Sequence, residues 1–282
     1  MPGSLQHIYA VLQQHFGILH DETAPSAWWP IFGDEPLFEM LLGAVLVQQT
    51  RWETVEGAIV RLRDANLLAP NALARASADT LASLLRPVAF YTQKAAGIIA
   101  ISTHICASYD GSMATLLAQP ATLLRRELLS LPRIGPETAD VIMLYAGNHP
   151  VFVVDDYTRR LFGRIAPELS SQPTYAQCFD WQRARYNVVR EQIEQELAST
   201  IDGSSPTPTS KMRSQESLYA DYHALINEQC VRYCLARPRC DGPPARRVYS
   251  RQTGRESYLE RHDGCPLRPI CTFYQIKNEQ RV

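Results

Sequence analysis

Apolar residues in this chain recur at helical spacing almost from end to end, and no convincing alternating strand interrupts them. A helix buries a stripe at every third and fourth residue and a strand at every second, so this period predicts an all-α fold. TVEGAIVRLRDANLL (54–68) sets Val55, Ala58, Ile59 and Leu62 on one stripe, with Thr54 as its N-cap. SADTLASLLRP (77–87) opens on a capping serine and ends at a proline. TQKAAGIIAISTHICASY (92–109), TLLRRELLSL (122–131) and ETADVIMLYAG (137–147) continue the pattern, and 175–200 reads as a long polar helix. FEMLLGAVLV (38–47) is apolar on nearly every side. Its Met, Leu and Ala content favours a helix wrapped by others over a buried strand. VFVV (151–154) is the best strand candidate and is too short to build a sheet; Asp155 or Asp156 opens another helix after it.

The chain has 282 residues, 45% of them hydrophobic and 20% charged, enough length for one large or two small cores. No apolar run reaches about 18 residues, and the N-terminus has neither the basic start nor the cleavage site of a signal peptide. A cytoplasmic protein with no membrane partner is expected. Charge is uneven: residues 204–282 hold 13 Lys and Arg against 8 Asp and Glu, while the chain as a whole carries −1. That basic end suits a polyanion, and ordinary surface charge is the plainer account. IDGSSPTPTS (201–210) reads as a loop, and 241–264 has no clean period. Of seven cysteines, Cys106 and Cys178 stand alone in apolar helical contexts, as buried thiols do; the other five crowd into 230–271. In a reducing compartment such a cluster points to a metal or cluster site before disulfides.

LPRIGPETADVI (131–142) joins two helical segments through a tight turn containing Pro132 and Gly135, and Pro136 suits the first turn of the second helix. Backbone N–H groups at such a start have no helical partner and can bind phosphate without reading base sequence. A plain helical corner fits the same spacing equally well. The run LPRIGPETA, followed by Val154-Asp155, resembles the helix-hairpin-helix DNA glycosylase superfamily, in particular its endonuclease III branch. The resemblance spans roughly 28–165 and 218–275. It takes in Gln48-Gln49-Thr50 after the buried helix, AFYTQKA (89–95), YHALI (222–226) and the C-terminal cysteines. One departure is Arg133, which stands where the family has its first hairpin glycine.

The resemblance implies two helical domains flanking a DNA cleft. A helical barrel with the hairpin covers 30–150, and a cluster domain is built from 1–29 and 151–282. Asp155 is implied at the junction as the catalytic carboxylate, where a fixed negative charge stabilises an oxocarbenium-like sugar and can activate water. Capping of the following helix is its bland role, and Asp156 has no implied role. Gln49 and Phe90 match positions that fill and wedge the opened duplex. Arg133, Gly135, Glu137, Thr138 and Arg160 belong to the implied DNA-binding surface; Arg160 and Arg164 suit phosphate or a nearby carboxylate. Trp28, Trp29 and Trp52 fall where the alkylpurine-specific branch sandwiches the flipped base, although core tryptophans would look the same in sequence. Ala44 stands where mismatch-specific adenine glycosylases carry a catalytic glutamate.

Glu137 occupies the place of the lysine that bifunctional relatives use to form an imine, and a carboxylate cannot form one. The implied activity is therefore that of a monofunctional glycosylase acting on double-stranded DNA as a monomer. It would release an alkylated purine such as 3-methyladenine and leave an abasic site. The alternatives are a uracil or thymine mismatch glycosylase, a bifunctional lyase using a displaced lysine such as Lys94 or Lys211, and a non-catalytic DNA-structure-binding protein. Cys234, Cys240, Cys265 and Cys271 resemble the family's C-x6-C-x2-C-x5-C loop that binds a [4Fe-4S] cluster, with zinc as the alternative ion. The first gap is one residue short, and removing 243–264 would restore the second; this stretch reads as an insertion in the cluster loop, with Cys230 spare.

Overall fold

The computed structural model describes residues 4–20, 28–165, 180–198, 214–245, 247–248, 256–257 and 264–279. Its helices are α1 (Leu5–Phe16), α2 (Pro36–Leu46), α3 (Trp52–Asp64), α4 (Pro70–Ala74), α5 (Ala78–Leu85), α6 (Tyr91–Tyr109) and α7 (Met113–Leu117). They continue with α8 (Ala121–Ser130), α9 (Pro136–Val141), α10 (Asp156–Ile165), α11 (Tyr186–Ala198), α12 (Gln215–Arg232) and α13 (Thr272–Glu279). The all-α expectation holds. The one β feature among the described residues pairs Arg247–Val248 with Glu256–Ser257. Two compact units result, one from Met1–Trp28, Phe152–Arg247 and Glu256–Val282, the other from Trp29–Val151 and Val248–Arg255.

In the unit built on 29–151, α2 is buried continuously from Phe38 to Leu46, as a central helix must be. Its one carboxylate, Glu39, reaches back to accept from Phe32 N and Gly33 N, both at 2.8 Å. Burial raises the Glu39 pKa, and those two N–H donors oppose the rise. The long helix α6 buries Lys94, Ile98, Ile101 and Ile105, a run of three- and four-residue steps. Ser77 caps α5 through Thr80 N, as its sequence indicates. Thr54 does not cap α3. That helix begins at Trp52, two residues earlier, with Arg51 at the cap and the Trp52 indole against Trp29. Cys106 is half-buried on α6, with its thiol 3.1 Å from Asn71 Oδ1, instead of lying in the core. Cys178 lies outside the described residues.

In the other unit, α1 lays Leu5, Ile8 and Leu12 toward α12, and the Tyr222 hydroxyl donates to Leu5 O at 2.8 Å. Residues 151–154 join no strand. The Phe152 and Val154 N–H groups donate to Glu194 Oε1 and the Tyr186 hydroxyl of α11, so side chains replace a neighbouring strand. The long polar helix expected over 175–200 is shorter: 180–185 is a turn and α11 begins at Tyr186. The expected 201–210 loop lies outside the described residues. Among the described residues no helix is long and apolar enough to cross a membrane.

Candidate active site and nucleic-acid interface

Asp155 follows residues 151–154 and stands directly before α10. Its Oδ1 accepts from Thr158 N at 2.7 Å and from the Thr158 hydroxyl at 2.8 Å, the geometry of a helix N-cap. Its Oδ2 accepts from Asn227 Nδ2 at 3.1 Å and lies 3.5 Å from His223 Nε2. Capping and presentation are thus combined in one carboxylate, each assigned to its own oxygen. Burial pushes the Asp155 pKa up, but the His223 ring and then the two Thr158 donors outweigh it and hold it below the ordinary value. The group stays ionised although little of it meets solvent.

His223 and Asn227 lie one turn apart on α12, and neither stood out in sequence beyond the YHALI phrase. The Trp28 ring meets His223 edge-on with centroids 6.0 Å apart, and its Nε1 donates to Glu228 Oε1 at 3.3 Å. Glu228 is in turn clamped by buried Arg232 at 2.8 Å. Trp28 therefore belongs to the Asp155 surroundings, whereas Trp29 and Trp52 belong to the other unit. Trp29 is 6% exposed, lies flat on Gly43 and packs against Trp52 and Tyr145, each at 5.4 Å. Tyr145 comes from the π-helical turn Ile142–Ala146 that follows α9, a local widening that periodicity does not announce. Trp52 is half-buried and is the more open of that pair. Asp156 is exposed.

The hairpin joins α8 to α9 as expected, with Pro136 in the first turn and no side chain capping Gly135. Its left-handed residue is Arg133, at φ +66°, while Gly135 has an ordinary φ of −93°. A non-glycine residue in that region costs about 1–2 kcal/mol, so the turn tolerates Arg133 at a price offset elsewhere. Gly97 of α6 faces it: a Cβ there would lie 2.5 Å from Arg133 Cγ. Gln49 and Phe90 also have positive φ, both +54°, and Phe90 is 50% exposed. Glu137 is exposed in the first turn of α9, and Thr138 is buried, its hydroxyl accepting from Gln48 Nε2 at 2.9 Å.

Lys94 is 0% exposed, and its amine donates to Leu46 O at 2.8 Å, Gln48 O at 2.7 Å and Thr50 Oγ1 at 3.4 Å. Burial, then the Arg133 charge, brings its pKa down to about 8. A lowered lysine suits a nucleophile by acidity, but an amine with three acceptors and no exposure is built as a clasp. Lys211 lies outside the described residues.

Cys234, Cys240, Cys265 and Cys271 line one small cavity, with Leu161, Arg164, Gln229 and Phe273 among its other walls. Arg164 Nη1 donates to Cys234 Sγ at 3.1 Å, and Gln229 Nε2 donates to Cys265 Sγ at 3.0 Å. Burial pushes Cys265 up to about 12 against N–H donors from Leu267 and Gln229. Cys234 is brought down to about 6 by its contact with Cys230 first and, against burial, by Arg164. Cys230 is buried, 3.5 Å from Tyr157 O. Arg160 donates through Nε to Cys234 O at 2.8 Å, and Arg164 also donates to Leu235 O and Ala236 O. Both arginines of α10 thus brace the cysteine loop. Among the described residues no group of three or more His, Cys, Asp or Glu side chains is drawn together to hold a single metal ion.

Comparison with known proteins gives this arrangement a setting. A family profile described as HhH-GPD superfamily base excision DNA repair protein matches residues 42–178. A Methanocaldococcus jannaschii protein described as a candidate DNA repair glycosylase is 32% identical over 237 residues, 84% of this chain and 94% of that protein. The H. pylori 3-methyladenine DNA glycosylase bound to 1,N6-ethenoadenine superposes with a TM-score of 0.61 at 26% identity, over 79% of this chain and 95% of that one. A non-covalent endonuclease III–DNA complex gives 0.63 at 18% identity over 98% and 97%, a likeness of fold. The chain belongs to the helix-hairpin-helix superfamily of base excision DNA repair proteins.

Proposed function

We propose that this protein is a monofunctional DNA glycosylase that removes an alkylated purine, 3-methyladenine or a close analogue, from duplex DNA. The observation that carries the reading is the state of Asp155: its side chain only 13% exposed, held by Thr158 and Asn227, and kept ionised by its neighbours. A carboxylate whose pKa is depressed is a weak proton acceptor and a strong fixed charge. It therefore favours a reaction limited by charge on the sugar. Cleavage of the C1′–N bond leaves the electron pair on the base and positive charge on the sugar; water then adds at C1′ and its proton passes to solvent. A purine made cationic by methylation leaves neutral and requires no proton from a general acid. Stacking against an indole favours a cationic ring as well, and Trp28, beside His223, is such a group close to Asp155. The similarity to a 3-methyladenine glycosylase supports the same substrate class. Exposed Glu137 in the first turn of α9 and clasped Lys94 support hydrolysis without an imine.

The cysteine cavity fits a [4Fe-4S] cluster. Four thiols share it, and Arg164 and Gln229 direct N–H donors at the Cys234 and Cys265 sulfurs; burial works against the thiolate at Cys240, Cys265 and Cys271, and a bound cationic iron centre would offset it. Such a cluster would hold α10, α12 and the C-terminal segment together and supply no step of the hydrolysis.

Methylated duplex DNA incubated with the protein should release free methylated base while the strands stay intact until alkali is added. Sodium borohydride should trap no protein–DNA adduct. A covalent adduct would show an imine and overturn the monofunctional reading.

A further inference from the structure

Three exposed residues that the glycosylase reading assigns to the DNA surface, Gln49, Phe90 and Arg133, share a backbone state that L-residues rarely adopt: φ of +54°, +54° and +66°. None is glycine, so something must hold each turn in place. They belong to three separate turns of the 29–151 unit, after α2, before α6 and between α8 and α9. One hydrogen-bond network joins all three. Lys94 Nζ takes the carbonyls of Leu46 and Gln48 and reaches the Thr50 hydroxyl, so it grips the Gln49 turn from both sides. Thr50 Oγ1 accepts from Ala89 N at 3.2 Å, the residue before Phe90. Gln48 Nε2 donates to Arg133 O at 2.8 Å and to Thr138 Oγ1, tying the same turn to the hairpin. The Arg133 stem then returns to α6, where it lies over Gly97, three residues beyond Lys94.

We infer that Lys94, Thr50 and Gln48 are positioning residues that couple the Gln49, Phe90 and Arg133 turns into one rigid duplex-opening element. A buried lysine with every donor directed at a turn has no evident task in the core, where a leucine would fill the space without desolvating a charge. Three independent strained turns would each relax in free protein and would have to be ordered again on every encounter with DNA. Coupled through Lys94, they remain set for insertion.

This inference rests on the glycosylase reading, and its test separates the two. The probe is a duplex with a tetrahydrofuran abasic analogue and 2-aminopurine on the facing strand, whose fluorescence rises when side chains unstack it. Wild-type protein should raise the signal at saturation. Lys94→Met and Thr50→Val should cut that rise at least fivefold while affinity, followed by anisotropy, changes less than threefold. Thr50→Ser, which keeps the hydroxyl, should restore it. If Lys94→Met does not fold by circular dichroism, the Thr50 pair decides. A full rise in Thr50→Val, or a Thr50→Ser variant no better than Thr50→Val, overturns the coupling. No rise with wild type overturns the duplex-opening assignment together with it.

Discussion

An aspartate at a helix start commonly uses its carboxylate to satisfy the first N–H groups, and Thr158 asks that of Asp155. What sets Asp155 apart is its second oxygen, turned to Asn227 and His223 on a helix more than sixty residues away in sequence. The first role can be read from an aspartate three residues before a threonine; the second requires the fold. Because the folded pKa lies below the usual aspartate value of about 3.9, the charge persists as pH falls through that value and is lost only below it. Any stability Asp155 adds follows the same sign: present above about 3.9, lost as pH falls through the lower folded value. Base release measured from pH 8 to pH 4 should therefore show no acid limb due to this carboxylate. An essential group titrating near pH 5 to 6 and abolished with Asp155 would contradict its role as a fixed charge. At the same scale, Arg133 shows where sequence falls short. Nothing in the residue type of Arg133 announces a left-handed backbone, yet that is the conformation it adopts.

Most helices were legible because their apolar stripes repeat over three or more turns, as in α6. Misreadings came where local pattern and tertiary contact compete. Thr54 is a good cap by type, but α3 starts where Trp52 meets Trp29. Residues 151–154, by contrast, have strand composition but build no sheet, as so short a run indicates; side chains of α11 take the N–H groups of Phe152 and Val154. The cysteines stand out in sequence as a spaced set, but their packing does not. Arg164 from α10 and Gln229 from α12 direct N–H groups at sulfurs, a contact that spacing cannot show. Purified protein should be brown and contain iron with acid-labile sulfide. Serine at Cys240 or Cys271 should remove most of the iron, and Cys230→Ser should retain it. A colourless folded protein holding one zinc, or iron lost only in Cys230→Ser, would refute this assignment.

Over the whole molecule, motifs far apart in the chain carried more than composition did. The near-neutral overall charge says little of a polyanionic partner, and the basic end at 204–282 is only a weak pointer to one. The hairpin phrase, the Val154-Asp155 phrase and the cysteine spacing each point to one superfamily, to which the chain belongs. Substrate choice is harder to read because it depends on how aromatic faces are turned. Of three tryptophans alike in sequence, Trp29 is packed into the core, Trp52 is half-open and Trp28 adjoins His223. Whether a fixed Asp155 charge drives release of an already cationic purine is open to direct measurement. Single-turnover release should be measured for wild type, Asp155→Asn and Asp156→Asn on duplexes bearing 3-methyladenine or uracil opposite guanine. Wild type should release the methylated purine faster, Asp155→Asn should lose at least about 100-fold with DNA binding kept, and Asp156→Asn should match wild type. Fast uracil release without methylpurine release, or a loss confined to Asp156→Asn, would show that Asp155 is not the charge that drives release of a cationic purine.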